Sequence, residues 1–161
     1  MYPNIKLIVI LRNPVDRTYS HYQMRVKLGK EPISFEEALA IEESGQCPEM
    51  KGRSPPIYPY LATSIYVKHL ERWLSFFSPD QMLILFNEDL KTDPLGTLNQ
   101  VCAFLEVSPF TVMPQENLSL IQKYPPMNPA TRQGLEEVFA PYNVELERLL
   151  KKPLPWSGRI Y

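Results

Sequence analysis

An uninterrupted run of aliphatic and β-branched residues near the start of the chain constrains the fold more than any other feature. It extends from Lys6 to Leu11, and a second run extends from Gln81 to Phe86. Strands without polar alternation are typical of parallel sheets that helices cover on both faces. The sequence therefore predicts an α/β fold.

Only these two central strands are evident, whereas a typical sheet has about four to six strands. Three explanations remain open at this point. The chain is the carboxy-terminal portion of a larger α/β domain, or it is a reduced version of such a domain. Alternatively, further short strands are present that the sequence pattern does not reveal. At 161 residues the chain has the length of one domain, and we expect residues 1–161 to form a single unit.

Helical segments separate and follow the strands, and most begin with a recognisable cap. Asparagine, serine or aspartate precedes the first turn, with proline often at the first helical position, where its missing N–H has no partner to lose. A turn is predicted at Glu88–Leu90. The predicted helices cover Pro14 to Leu28, Ser34 to Glu43, Leu61 to Phe77, Asp93 to Leu105 and Asn128 to Leu150.

Composition excludes several classes of function. Lys and Arg number 17 against 18 Asp and Glu, a net charge of −1, so a global basic field for nucleic acid is absent. No apolar run approaches the length of a membrane span, and we expect a cytoplasmic protein. Cys47 and Cys102 lack metal-ligand spacing, so the sequence predicts no metal site.

Arg12 is the strongest candidate for a functional residue. It follows the first strand directly, and ligands of open α/β sheets bind beyond the carboxyl ends of the strands. Its planar fork of donors matches a phosphate, and the amides of the following helix add partial positive charge. Ser20, two turns into that helix, can add a hydroxyl. The alternative is that Arg12 is a structural ion-pair partner of Asp16 or Glu88.

The segment from Lys6 to Tyr22 resembles the 3′-phosphate-binding motif of the sulfotransferase superfamily, in the form found in heparan sulfate sulfotransferases and their bacterial relatives. This resemblance implies a three-layer, P-loop-NTPase-like sulfotransferase fold with a parallel sheet, here helix-rich and incomplete at the amino terminus. Later segments occur in the family's order. They are Tyr60–Tyr66 with Leu70–Trp73, Asn87–Leu90, Asp93–Pro94, Phe104–Leu105, Tyr124–Arg132 and Pro141–Asn143.

The resemblance also implies a co-substrate and its contacts. Members of the superfamily use 3′-phosphoadenosine 5′-phosphosulfate (PAPS) as sulfuryl donor, and by position Arg12 and Ser20 would hold its 3′-phosphate. Lys123 and Tyr124 lie in the segment that approaches the nucleotide in the heparan enzymes. That segment lacks the lysine-glycine-arginine tripeptide here, so Lys123 is alternatively a solvated lysine.

The family's 5′-phosphosulfate loop and its usual catalytic base precede the 3′-phosphate motif, and no glycine precedes Gly29 in this sequence. We therefore expect a partial donor site, with transfer activity uncertain for the chain alone and the catalytic residues unassigned. His21 and His69 are weak candidates for a base, and Glu88 with Asp89 fits a structural role better. The alternative function is a non-catalytic nucleotide-binding or interaction protein, and a third possibility is a helix-rich scaffold.

The sequence leaves the acceptor open among sugars, lipids, peptides and small metabolites. Tyr58 and Tyr60 are candidate acceptor contacts because they adjoin a long loop rich in proline and glycine. Tyr66 and Trp73 recur at helical spacing and are predicted to pack in the core.

Overall fold

A computed structural model of the chain describes residues 5–45, 59–113 and 124–158. Two strands and six α-helices occur in these ranges, with short 3-10 turns at Ala62–Ser64 and Pro79–Gln81. The elements, in chain order, are β1 Leu7–Leu11, α1 Pro14–Lys27, α2 Phe35–Ser44, α3 Tyr66–Leu74, β2 Met82–Phe86, α4 Asn87–Thr92, α5 Pro94–Leu105 and α6 Pro129–Leu150.

The two strands pair in parallel, as their composition predicts. The register runs from Leu7 opposite Met82 to Leu11 opposite Phe86. Both strands therefore end at the same edge of the sheet, where β1 continues into α1 and β2 into α4. The α/β class is confirmed, in a helix-rich form with a small sheet.

Capping explains where the predicted helices begin. The Asn13 side chain accepts a hydrogen bond from the Val15 amide at the start of α1. At the start of α2, Ser34 and Glu37 form the reciprocal capping box that their spacing predicts. Gly29 follows α1 at φ +66°, a left-handed conformation that glycine adopts without steric cost.

Two predicted elements were wrong. The helix expected from Leu61 to Phe77 is a 3-10 turn followed by the shorter α3, Tyr66–Leu74. The hydroxyls of Thr63 and Ser64 donate to the carbonyls of Pro59 and Tyr60, and such side-chain bonds compete with a regular helix.

The second error is the turn expected at Glu88–Leu90, which lies inside the helix α4. Its first turn carries Glu88 and Asp89, where the helix dipole favours carboxylates. The predicted long loop falls mostly on residues 46–58, outside the described residues, as does Cys47. Cys102 is a buried free thiol of α5.

Two hydrophobic cores pack against the first and second halves of α6, the longest of the described helices. The first joins α1, α2 and the start of α6, and the second joins the sheet, α3 and the end of α6. Pro141 lies inside α6 between the two. Leu135 and Phe139 of α6 belong to the first core and Leu146 to the second.

The described helices include none that is long and apolar enough to cross a membrane. Within the same ranges, no group of three or more histidine, cysteine or carboxylate side chains is placed to hold a metal ion.

Candidate functional site

Two hydrogen bonds of Asn13 fix the turn between β1 and α1. The Asn13 side chain accepts from the Val15 amide at 2.9 Å. The Asn13 amide in turn donates to Oε1 of Glu88, the second residue after β2, at 3.1 Å. The hydrogen-bonding role expected for Glu88 is confirmed, because its carboxylate ties the end of β2 to the turn that carries Arg12.

Arg12 emerges at the carboxyl end of β1 and is half-buried. Its Nε is buried and has no hydrogen-bond partner in the described part of the chain. The alternative of an ion pair with Asp16 or Glu88 was wrong, since Arg12 forms no ion pair among the described residues and Asp16 contacts Arg132 at 2.5 Å. A buried charged donor without a partner is costly, so this geometry suits an anionic ligand.

Ser20 lies on α1, seven residues after the cap residue Asn13. Seven residues correspond to two helical turns and a rise of roughly 10 Å, so Ser20 shares the face of the helix that begins at Asn13. The residue is half-buried, and its hydroxyl makes no hydrogen bond within the described residues. That hydroxyl is therefore available on this face.

Helix α1 is anchored to the 3-10 turn by side-chain hydrogen bonds that the sequence analysis missed. Arg17 donates from Nη1 to Oγ1 of Thr63 at 2.5 Å and to Oγ of Ser64 at 3.2 Å. Thr18 is fully buried, donates to the Pro14 carbonyl at 2.7 Å, and has its Oγ1 2.7 Å from Oγ of Ser64. The polar residues at 63 and 64 were the available signal, because buried hydroxyls require partners.

Tyr66, at the start of α3, was predicted to be a core residue. Its ring packs against the second core, while its hydroxyl lies among charged groups. Burial raises the pKa of Tyr66 to about 12, against opposing effects of Arg17 and Arg12, and Glu88 adds to the increase. The phenol therefore stays protonated at neutral pH and remains a potential donor beside Arg12.

Tyr124 reaches α1 from the opposite end of the chain. Its ring meets Tyr19 edge-on, with centroids 5.5 Å apart. The Tyr19 hydroxyl donates to the Pro125 carbonyl at 3.0 Å, which holds the same segment. Tyr124 is thereby brought to the helix that carries Ser20, whereas Lys123 lies outside the described residues.

Two aromatic predictions were wrong. Tyr60 is fully buried and donates its hydroxyl to the Glu31 carboxylate, so it is not a surface contact for an acceptor. Trp73 is 49% exposed and stacks on Phe77 instead of packing in the core. Tyr58, the other acceptor candidate, lies outside the described residues.

His21 lacks the properties of a general base, and His69 contacts the backbone through one ring nitrogen. Burial, with Arg17 and Arg25 adding to it, lowers the pKa of His21 to about 4. A base with that pKa is poorly matched to neutral pH. His69 has Nε2 3.0 Å from the Ala62 carbonyl, so a backbone contact occupies that ring nitrogen.

Comparison with known proteins identifies the family to which the chain belongs. The family described as the sulfotransferase domain matches residues 1–125, so the chain belongs to the sulfotransferase family. Among solved structures, a sulfotransferase from Alicyclobacillus acidocaldarius superposes with a TM-score of 0.74 at 34% identity. The match covers 95% of this chain and 57% of that one.

Curated relatives include two mouse proteins. Bifunctional heparan sulfate N-deacetylase/N-sulfotransferase 4 of Mus musculus is 31% identical over 184 residues, covering 96% of this chain and 20% of the relative. Carbohydrate sulfotransferase 15 of Mus musculus is 30% identical, covering 92% of this chain and 30% of the relative. The chain thus spans less than a third of the length of either relative.

Proposed function

We propose that this chain binds the 3′-phosphate end of PAPS for sulfuryl transfer to a carbohydrate acceptor. The observation that carries the proposal is the buried Nε of Arg12, which lacks a protein partner in the described residues at the carboxyl end of β1. Family membership supports PAPS as donor. The printed names of the relatives, a heparan sulfate N-sulfotransferase and a carbohydrate sulfotransferase, support a sugar acceptor.

The residues present fit a phosphate monoester in charge and in donor type. Arg12 supplies a guanidinium whose planar fork matches phosphate oxygens, and Ser20 supplies a hydroxyl. Glu88 holds the turn by accepting from the Asn13 amide, and Arg17 holds α1 against the 3-10 turn. These bonds set the positions of Arg12 and Ser20 before the ligand arrives, which reduces the entropy lost on binding.

When bound, PAPS supplies the sulfuryl group that an acceptor hydroxyl or amine attacks. Transfer of such groups depends mostly on positioning and on stabilising charge at the leaving phosphate. The described residues of this chain contribute to sulfuryl transfer by binding and orienting the nucleotide. Lys123 and Tyr124 are proposed to add contacts from the carboxy-terminal segment.

Calorimetric titration with two nucleotides tests the proposal. Adenosine 3′,5′-bisphosphate should bind more tightly than adenosine 5′-phosphate, because only the first offers a 3′-phosphate. Arg12→Ala should remove most of that difference, by about tenfold or more, since charge-assisted hydrogen bonds contribute about 1.5–3 kcal/mol. Ser20→Ala should reduce it by a smaller factor.

Arg148→Ala is the matched control, because Arg148 is exposed on α6. It removes an arginine without changing the turn after β1 and should leave both affinities unchanged. Equal binding of the two nucleotides by the wild-type chain, or an Arg12→Ala effect no larger than that of Arg148→Ala, would contradict the assignment.

Transfer of radiolabelled sulfate from PAPS to oligosaccharides then separates an enzyme from a binding protein. Label incorporation that Arg12→Ala lowers would support sulfuryl transfer to a sugar. Tight nucleotide binding without transfer of label to the hydroxyls or amines of any carbohydrate would favour a non-catalytic role.

A further inference from the structure

An acidic groove lies between α2 and α6. It encloses about 590 Å³ and includes Gly134 and Thr131 of α6. Its floor is apolar and its rim carries carboxylates. Its apolar lining consists of Ala40, Val138 and the outer edges of two first-core residues, Leu39 and Leu135, which are 8% and 4% exposed, and its carboxylates belong to Glu36, Glu43 and Glu137.

The charges of this groove are not balanced by the described part of the chain. Helix α2 carries four glutamates and no basic residue. Glu43 lies in its last turn, where the helix dipole disfavours a carboxylate. Neither Glu43 nor Glu137 forms an ion pair with any described residue. Both carboxylates would therefore attract a cationic partner and stabilise its binding.

Gly134 lines the groove and adds no side chain to it. It lies within α6, where glycine is less favourable than alanine, yet a Cβ at this position would meet nothing within 4 Å. Packing inside the chain therefore does not require a glycine. Because Gly134 has no side chain, another surface can approach the backbone of α6 closely at this point of the groove.

The complementary surface occurs on the same chain, at the end of α1. Three large apolar residues are exposed there in a stretch of five: Met24, Val26 and Leu28, the last 57% exposed. Lys27 and Lys30 are exposed beside them and form no ion pair within the described ranges. This surface, residues 24–30, is termed the α1 tip. It is apolar and basic, whereas the groove is apolar and acidic.

We propose that the α1 tip of one copy of this chain docks in the α2–α6 groove of a second copy. Lys30 and Glu36 are six residues apart, which limits their separation to about 20 Å. Each copy carries both a tip and a groove, so a twofold axis can form both contacts at once. Leu28 then contacts the apolar floor, and the lysines face the glutamates of the rim.

Reciprocal charge reversal tests this arrangement by sedimentation velocity. One variant combines Lys27→Glu with Lys30→Glu, and the other combines Glu43→Lys with Glu137→Lys. Each should raise its dimer dissociation constant by about tenfold or more, because like charges then face each other at both contacts. Raised salt should weaken the wild-type dimer for the same reason.

Mixing the two variants gives the decisive result. In the mixed dimer, the acidic tip meets the basic groove, and the other contact keeps its wild-type charges. Affinity should therefore return close to the wild-type value. Gly134→Leu fills the groove without changing charge and should also weaken the dimer, while circular dichroism confirms that each variant is folded.

Three outcomes would overturn the proposal. The first is a wild-type chain that stays monomeric up to about 0.1 mM. The second is a dimer that neither charge reversal nor Gly134→Leu weakens, which would point to another surface. The third is a pair of folded variants that fail to associate on mixing, which would point to a different partner for the groove.

Discussion

Removing the hydroxyl of Tyr60 should lower the free energy of unfolding substantially, although the substitution deletes only one heavy atom. Tyr60 donates to the carboxylate of Glu31, whose side chain is fully buried. Arg25, with 12% of its side chain exposed, has Nε 3.6 Å from the same carboxylate oxygen. The phenol, the carboxylate and the guanidinium form one buried polar group within the first core.

The magnitude follows from what Tyr60→Phe retains and what it removes. The ring remains and keeps its edge contacts with His21, Tyr22 and Phe35, so little apolar burial is lost. A hydrogen bond to a charged group disappears, which costs about 1.5–3 kcal/mol. For a chain of this size that loss lowers the melting temperature by roughly 3–12 °C.

Urea denaturation followed by tryptophan fluorescence measures the effect. Tyr19→Phe is the matched control, because the Tyr19 hydroxyl donates to the Pro125 carbonyl at an exposed position and should contribute less than about 0.5 kcal/mol. Glu31→Gln removes the charge, and in that background Tyr60→Phe should cost less than in the wild type. A loss for Tyr60→Phe no greater than for Tyr19→Phe would refute the reasoning.

Three further predictions concern one histidine and two glycines. Burial, followed by the charges of two arginines on α1, lowers the pKa of His21 from 6.5 to about 4. The unfolded chain therefore binds this proton first as the pH falls, and the free energy of unfolding should decrease from about pH 6.5 to pH 4, a slope that His21→Gln should flatten. Gly134→Ala should raise stability by about 0.5–1 kcal/mol, since the Cβ meets open space in a helix. Gly96→Ala should lack this gain, because a Cβ there would lie 2.0 Å from Oδ2 of the capping residue Asp93, and loss of that cap costs about 1 kcal/mol, which cancels the helix-propensity gain. Only the Gly134→Ala melt should therefore shift upward.

Local features of the sequence were sufficient for most of the elements. Apolar runs predicted both strands, and caps such as Asn13 and Ser34 predicted where helices begin, because both signals depend on neighbours within a few residues. The turn with Arg12 at the strand's end was predictable for the same reason. The family resemblance extended this to the sulfotransferase class, which is confirmed.

Contacts between distant segments were not predictable from local patterns. Asp16 was a candidate partner of Arg12, but it pairs with Arg132, which is 116 residues away. Tyr60 and Trp73 were assigned to the wrong environments because helical spacing and loop position do not show what covers a ring. Burial of an aromatic residue depends on the whole fold, and Glu31 supplied the partner that allowed Tyr60 inside.

The sharing of α6 by the two cores has a consequence for how the chain unfolds. The helix has 22 residues, about 33 Å in length, and Tyr142, next to Pro141, packs against both cores. Neither core can separate from the rest without disrupting the helix that both share. Backbone amides in the two halves of α6 should therefore exchange with deuterium through one common opening, so that the two cores behave as a single cooperative unit.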